Sequence, residues 1–257
     1  RASFVIVGSF YLLASFIFLY FIKSSPKNVG LEDLSDAKEH TNIVETLKRI
    51  FSWLKVLIRD SCFVYITIMM MMMFVLYDFI GYAPLYLNQV TGLSASDAAV
   101  ASAFFPFGAL ISVVIFGFLY DKLKFNRLRV VLIVCLGLST VSIGLLWSLS
   151  SFELSASSTE YLSFLLIFMF GFTMAPAWYL PVNVYITGLG GHHIGFTLTL
   201  VDLFGYIASA VFNVVAGRLA EASWGNYLLF VMVFCVLSTI FLSLFFGAMK
   251  RKSEILV

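Results

Sequence analysis

The sequence predicts an all-α membrane protein whose helices cross a lipid bilayer repeatedly. Of 257 residues, 61% are hydrophobic and only 12% are charged. Seven apolar stretches are long enough to span hydrocarbon as helix, which takes about 20 residues. Basic residues gather in alternate connecting segments. A soluble domain carries roughly a quarter charged residues to cover its water-facing surface. This chain falls far short of that, so much of its surface must face lipid. The net charge of +2 is too small to imply a nucleic-acid partner.

The spans are expected at Ala2–Ile22, Ser61–Leu87, Ala95–Leu119, Val130–Leu149, Tyr161–Ile186, Ile194–Val215 and Tyr227–Met249. Each reads as a helix, because backbone groups in lipid need partners within their own segment. The runs are continuous, unlike the short alternating segments of a β-barrel. Arg1 opens directly into an apolar run, without the basic flank and cleavage site of a signal peptide. The chain is therefore expected to begin inside something longer.

If the spans alternate in direction, one side collects Lys23, Lys27, Lys38, Lys48, Arg49, Lys55, Arg59, Lys122, Lys124, Arg127, Arg129, Lys250, Arg251 and Lys252. The other side has only Arg1 and Arg218. Cytoplasmic loops are rich in Lys and Arg, so the richer side, with the carboxyl terminus, is expected in the cytoplasm. Within residues 23–60, Ile43, Leu47, Ile50, Phe51, Leu54 and Leu57 recur at helical spacing among basic residues. They read either as an amphipathic helix on the membrane surface or as an extension of the second span. The last six spans form two triplets. The first helix of one triplet carries Gly81 and Pro84, and that of the other carries Gly171, Pro176 and Pro181. Interruptions at matching positions in two halves point to a transporter's substrate path.

Two carboxylates, Asp78 and Asp202, stand deep in apolar sequence. An ionised Asp at the bilayer centre costs about 2.5–3.5 kcal/mol on insertion scales, so such groups face the bundle interior or a wet cavity. Asp78 and Tyr82 are four residues apart, as are Asp202 and Tyr206, and Tyr179 and Asn183, so each pair shares a helix face. With Tyr77 they make a candidate substrate-binding set, and Asn213 lies three turns beyond Asp202. Tyr161 and Tyr227, at span ends, read as packing or interfacial residues.

No cofactor, catalytic or metal site is expected. Cys62, Cys135 and Cys235 lack ligand or redox spacing. His192 and His193 have no further ligand near them, and Met69–Met73 reads as adaptable packing. The expected partners are a small-molecule solute and the lipid bilayer.

The loop Gly117-Phe-Leu-Tyr-Asp121-Lys122-Leu-Lys124-Phe-Asn126-Arg127 resembles the cytoplasmic signature of the major facilitator superfamily, with Lys124 in place of a Gly and Asn126 in place of a basic residue. Ser24-Ser-Pro26-Lys-Asn-Val-Gly30-Leu31, Tyr82-Ala-Pro84-Leu-Tyr86-Leu and Leu203-Phe204-Gly205-Tyr206 resemble stretches of its organophosphate:phosphate antiporters, and Asp202 matches an Asp of the sugar-phosphate exchangers. The resemblance implies that residues 1–22 are the last helix of a missing amino-terminal half of the same transporter. It makes 23–60 the cytoplasmic central loop, 61–249 a six-helix transporter domain and 250–257 a cytoplasmic tail. It implies a secondary active transporter, not an enzyme, moving a small polar organic solute, an organophosphate or sugar phosphate among the options. Gly117, Asp121, Lys122 and Arg127 would form a conformational-switch loop, with Gly117 allowing close helix approach and Asp121 set against a helix end or basic residue. Leu76 stands where the bacterial glycerol phosphate transporters have a phosphate-binding Arg. The alternative is a seven-helix membrane receptor, which fits the count but lacks an Asp-Arg-Tyr after the third span and an Asn-Pro-x-x-Tyr in the seventh.

The charge asymmetry predicts a topology. In intact cells, external cysteine labelling is expected at positions near Thr91 and Ser157 but not at Lys38 or Lys124. External labelling at Lys38 contradicts the orientation.

Overall fold

The computed structural model describes residues 9, 12–18, 52–149, 156–189 and 194–255. The chain divides into two units, Arg1–Ser52 and Trp53–Val257. In the first, residues 12–18 are helical. The span expected at Ala2–Ile22 falls mostly outside the described residues, as do Ser24–Leu31 and the histidines His192 and His193. The second unit holds α1 (Ser61–Tyr77), α2 (Phe79–Thr91), α3 (Ala95–Ser102), α4 (Phe104–Tyr120), α5 (Phe125–Ser148), α6 (Ala156–Leu189), α7 (Ile194–Ala222) and α8 (Trp224–Ile255).

These eight helices make six candidate spans among the described residues: Ser61–Thr91, Ala95–Tyr120, Phe125–Ser148, Ser157–Thr187, Ile194–Ala222 and Trp224–Lys252. The seventh expected span is thus not established. The span expected from Val130 starts at Phe125 instead, because the helix runs on past the apolar stretch. Residues 53–59 are also helical, with Leu57 buried between exposed Lys55 and Arg59. The rest of the expected amphipathic stretch lies outside the described residues.

Two spans are interrupted. The first breaks at Asp78, between α1 and α2, where Gly81 N–H donates back to the Asp78 carbonyl at 2.9 Å in a tighter turn. The second breaks at Ala103, between α3 and α4. Pro106, one turn on, has no N–H to give the carbonyl at the end of α3. By contrast α6 runs unbroken through Gly171, Pro176 and Pro181. The interruption in one triplet thus falls at Asp78, three residues before Gly81, with α2 continuing through Pro84, and the other triplet has none at its matching residues.

The spans alternate in direction. At one end, Trp53 Nε1 donates to Thr197 Oγ1 at 3.4 Å, and Phe125 packs on Phe246. At the other, Tyr86 packs on Trp224. Without a hydrophobic drive in lipid, helices associate through shape and interhelical hydrogen bonds. The α4–α6 contact shows the first. A Cβ on Gly108 would meet the Phe168 carbonyl oxygen, and one on Gly171 the Phe105 carbonyl oxygen. Gly171 is thus a packing residue, not a hinge. Beside it Phe79, Phe105 and Phe170 are fully buried, their rings 5.3–5.9 Å apart, joining α2, α4 and α6. The α5–α6 contact shows the second, with Ser139 Oγ and Thr173 Oγ1 2.8 Å apart. Met69, Met70 and Met73 fill the core, as do all three cysteines.

Asp60 ties one end together. Its Oδ1 accepts from Cys62 N–H at 3.0 Å, capping α1. Its Oδ2 accepts from Tyr185 Oη of α6 at 3.2 Å and from Lys252 Nζ of α8 at 3.0 Å. Lys252 is 51% exposed and Asp60 17%, so the ion pair itself adds little, about 0–1 kcal/mol. The cap and the Tyr185 bond carry more. Asp60→Ala is expected to destabilise the bundle by about 1–3 kcal/mol, and Lys252→Ala by less than about 1 kcal/mol. Thermal melting in detergent checks the order, and equal shifts would contradict it.

Candidate functional site

The first span and α7 begin at the same end and run side by side. Phe74 meets Tyr206, Asp78 meets Ser209 and Tyr82 meets Asn213, one pair per turn. On α7, residues 202, 206, 209 and 213 repeat at helical spacing and form one stripe. The stripe therefore presents its polar groups in step with those of the broken span.

Around the break this produces a closed polar network. Ser209 Oγ donates to Asp78 Oδ2 at 2.7 Å, and Asn213 Nδ2 donates to the same oxygen at 2.9 Å. Tyr82 Oη faces the Asn213 backbone carbonyl at 3.2 Å and its Oδ1 at 3.3 Å. Asp78 is half-buried, and no charged side chain among the described residues acts on it. Hydrogen bonds to a charged acceptor contribute about 1.5–3 kcal/mol each. Two of them offset the cost of holding an ionised Asp among apolar helices.

One turn away along both helices lies an open aromatic surface. Trp178 of α6 stands between Tyr77, at 5.0 Å, and Phe74, at 4.6 Å, and Phe74 meets Tyr206 at 4.7 Å. Tyr77 is 44% and Tyr206 66% exposed, so their rings are supported on one side and open on the other. Asp202, half-buried, lies one turn before Tyr206 and has no hydrogen-bond or ionic partner among the described residues. By the register of α7 it falls opposite the methionine run, which offers no donor.

The expected site residues thus divide. Asp78 and Tyr82 join the closed network. Tyr77 and Tyr206 join the aromatic surface, with Asp202 beside it. Tyr179 and Asn183 do not act as a pair: Tyr179 Oη donates to the Val113 carbonyl of α4 at 3.3 Å, while Asn183 is exposed on α6. Ser209, Trp178 and Phe74 were not anticipated, although the spacing of 202, 206, 209 and 213 marks Ser209 as part of the polar stripe.

In the loop after the second span, Asp121 caps α4 and is exposed, as are Lys122 and Arg127, and Asp121 has no side-chain partner among the described residues. A Cβ on Gly117 would meet nothing within 4 Å. Among the described residues neither a close approach at Gly117 nor a side-chain partner for Asp121 is present. Among the described residues no group of His, Cys, Asp or Glu could hold a metal ion.

A family model described as Major Facilitator Superfamily matches residues 1–213. A curated relative from Arabidopsis thaliana, named as putative glycerol-3-phosphate transporter 5, is 22% identical over 98% of this chain. The chain spans about half the length of that relative, 56%.

The aromatic surface depends on Gly205, where a Cβ would strike the Phe74 ring. Gly137, mid-helix in α5, has nothing within 4 Å of the same position. Alanine is a better helix former than glycine by about 0.5–1 kcal/mol. Gly137→Ala is accordingly expected to hold or raise the melting temperature. Gly205→Ala should lower it, by an overpacking cost of about 1–3 kcal/mol. Shifts of the same sign would show that Phe74 yields freely.

Proposed function

This chain belongs to the major facilitator superfamily, and on that premise we propose that it is the carboxyl-terminal half of a secondary transporter for a small polar organic solute. The match of the family model over residues 1–213 carries the reading. It does not favour the receptor alternative, and the chain is a transporter component rather than an enzyme. The solute proposed is an organophosphate or sugar phosphate, a class supported by the sequence resemblance and by the name of the Arabidopsis relative.

In this reading the open surface of Tyr77, Trp178 and Tyr206, with Asp202 and Asn183, lines the solute path. Exposed, buttressed rings suit the apolar faces of a sugar or polyol, and a carboxylate with no partner among the described residues can accept from its hydroxyls. The span Ser61–Thr91 has no Lys or Arg, so a phosphate would take its positive partner from the amino-terminal half. Alternating access would rock the two halves about this surface. The loop with Gly117, Asp121, Lys122 and Arg127 would switch between states, with the carboxyl terminus in the cytoplasm.

The test is uptake of labelled glycerol 3-phosphate and hexose phosphates by the full-length protein in liposomes. Tyr206→Ala and Asp202→Asn are expected to raise KM about tenfold, the loss of one contact of about 1.4 kcal/mol, without changing the amount of folded protein. Uptake by both variants at the normal KM would place the solute elsewhere.

A further inference from the structure

The polar network at the helix break reaches one end of the bundle. There a cleft of about 380 Å³ is lined by Tyr82, Leu85, Gln89, Gly217, Glu221 and Trp224. Trp224 Nε1 donates to Gln89 Oε1 across it at 2.8 Å. Tyr82 belongs to both places: its ring lines the cleft, and its hydroxyl meets Asn213. Asn213 in turn bonds Asp78. A hydrogen-bonded route thus leads from Tyr82, in the wall of the cleft, through Asn213 to a carboxylate at mid-span.

We propose that Asp78 is a reversible proton-binding site, reached from this cleft through Tyr82 and Asn213 and separate from the open aromatic surface. Both protein donors converge on Oδ2, and no donor among the described residues reaches Oδ1. That oxygen is where the proton binds. A metal ion fits poorly, because Asn213 presents its NH2 group to the carboxylate, and an NH2 group is no cation ligand. The titratable groups that face Asp78 are Tyr82 of α2 and Tyr227 of α8, whose rings lie 4.7 Å apart. Both are phenols, neutral over the range in which a carboxyl group titrates. From α7 it meets only Ser209 and Asn213, and α6 brings Trp178 to the neighbouring turn. Among the described residues no fixed cation holds Asp78 ionised, so there its protonation answers to hydrogen bonding and hydration. Its backbone lies at the interruption of the span, so bending there moves the carboxyl group relative to its donors and changes its proton affinity. Should the proton travel with the solute, that coupling rests on the transporter reading above; the site itself does not.

The experiment is infrared difference spectroscopy of the full-length protein in liposomes, stepped between acidic and alkaline buffer. A protonated-carboxyl C=O band is expected on the acidic side and lost in Asp78→Asn. In Ser209→Ala its midpoint should move to higher pH, because the bond removed favours the ionised form. Gly217→Leu, which fills the cleft, should slow hydrogen–deuterium exchange at the band at least tenfold. A band that survives Asp78→Asn, or that vanishes in Asp202→Asn instead, overturns the assignment. Unchanged exchange in Gly217→Leu overturns the route. Absence of any solute uptake would sink the proposed function and leave the band in place.

Discussion

Where water is excluded, each backbone amide must find a carbonyl within its own helix, and the rest of this structure follows from that demand. Small hydroxyls turn inward to obey it. Ser142, Thr140, Thr239 and Ser243 each donate to the carbonyl one turn earlier on their own helix, so they cost little in lipid. A break in the ladder is correspondingly conspicuous. At the break the backbone tightens, with Gly81 N–H on the Asp78 carbonyl, and the Asp78 carboxylate beside it takes Ser209 and Asn213 as donors. Irregular backbone at membrane depth is tolerated where protein or a polar cavity receives it.

The network and the aromatic surface share one stripe of α7 yet differ in kind. Ser209 and Asn213 direct their donors to a carboxylate on a neighbouring span, whereas Tyr206 leaves most of its ring uncovered. The register between the first span and α7 makes the distinction, since Phe74 supports a ring and Asp78 accepts hydrogen bonds one turn later. A shift of the two helices by one turn would bring the apolar face of Phe74 against polar groups. The division between an enclosed polar site and an open surface is thus encoded in the pairing of two helices, not in either alone.

The membrane class and six of the spans were legible in composition and run length, because the lipid constraint acts on each segment separately. Asp78 and Asp202 stood out for the same reason: a carboxylate in an apolar run is anomalous wherever its partners lie. The partners themselves were not legible, since Ser209 lies 131 residues from Asp78 and only the helix register joins them. Gly171 and Pro176 looked like interruptions because a glycine in a helix reads alike as hinge or as contact. The decision belongs to α4, whose Phe105 carbonyl occupies the space a side chain would take. Tyr179 shows the same limit, its hydroxyl claimed by a carbonyl of another helix.

The reciprocal glycine contact between α4 and α6 bears on the order of assembly. During synthesis α4 and α5 precede α6, so the notch at Gly108 waits for the Phe168 carbonyl that fills it. When α6 arrives, its own notch at Gly171 must meet Phe105 at the same moment that Phe168 meets Gly108. Two small gaps that close together admit one vertical placement of the late helix and reject its neighbours. The pair thus fixes the height at which α6 sits against α4.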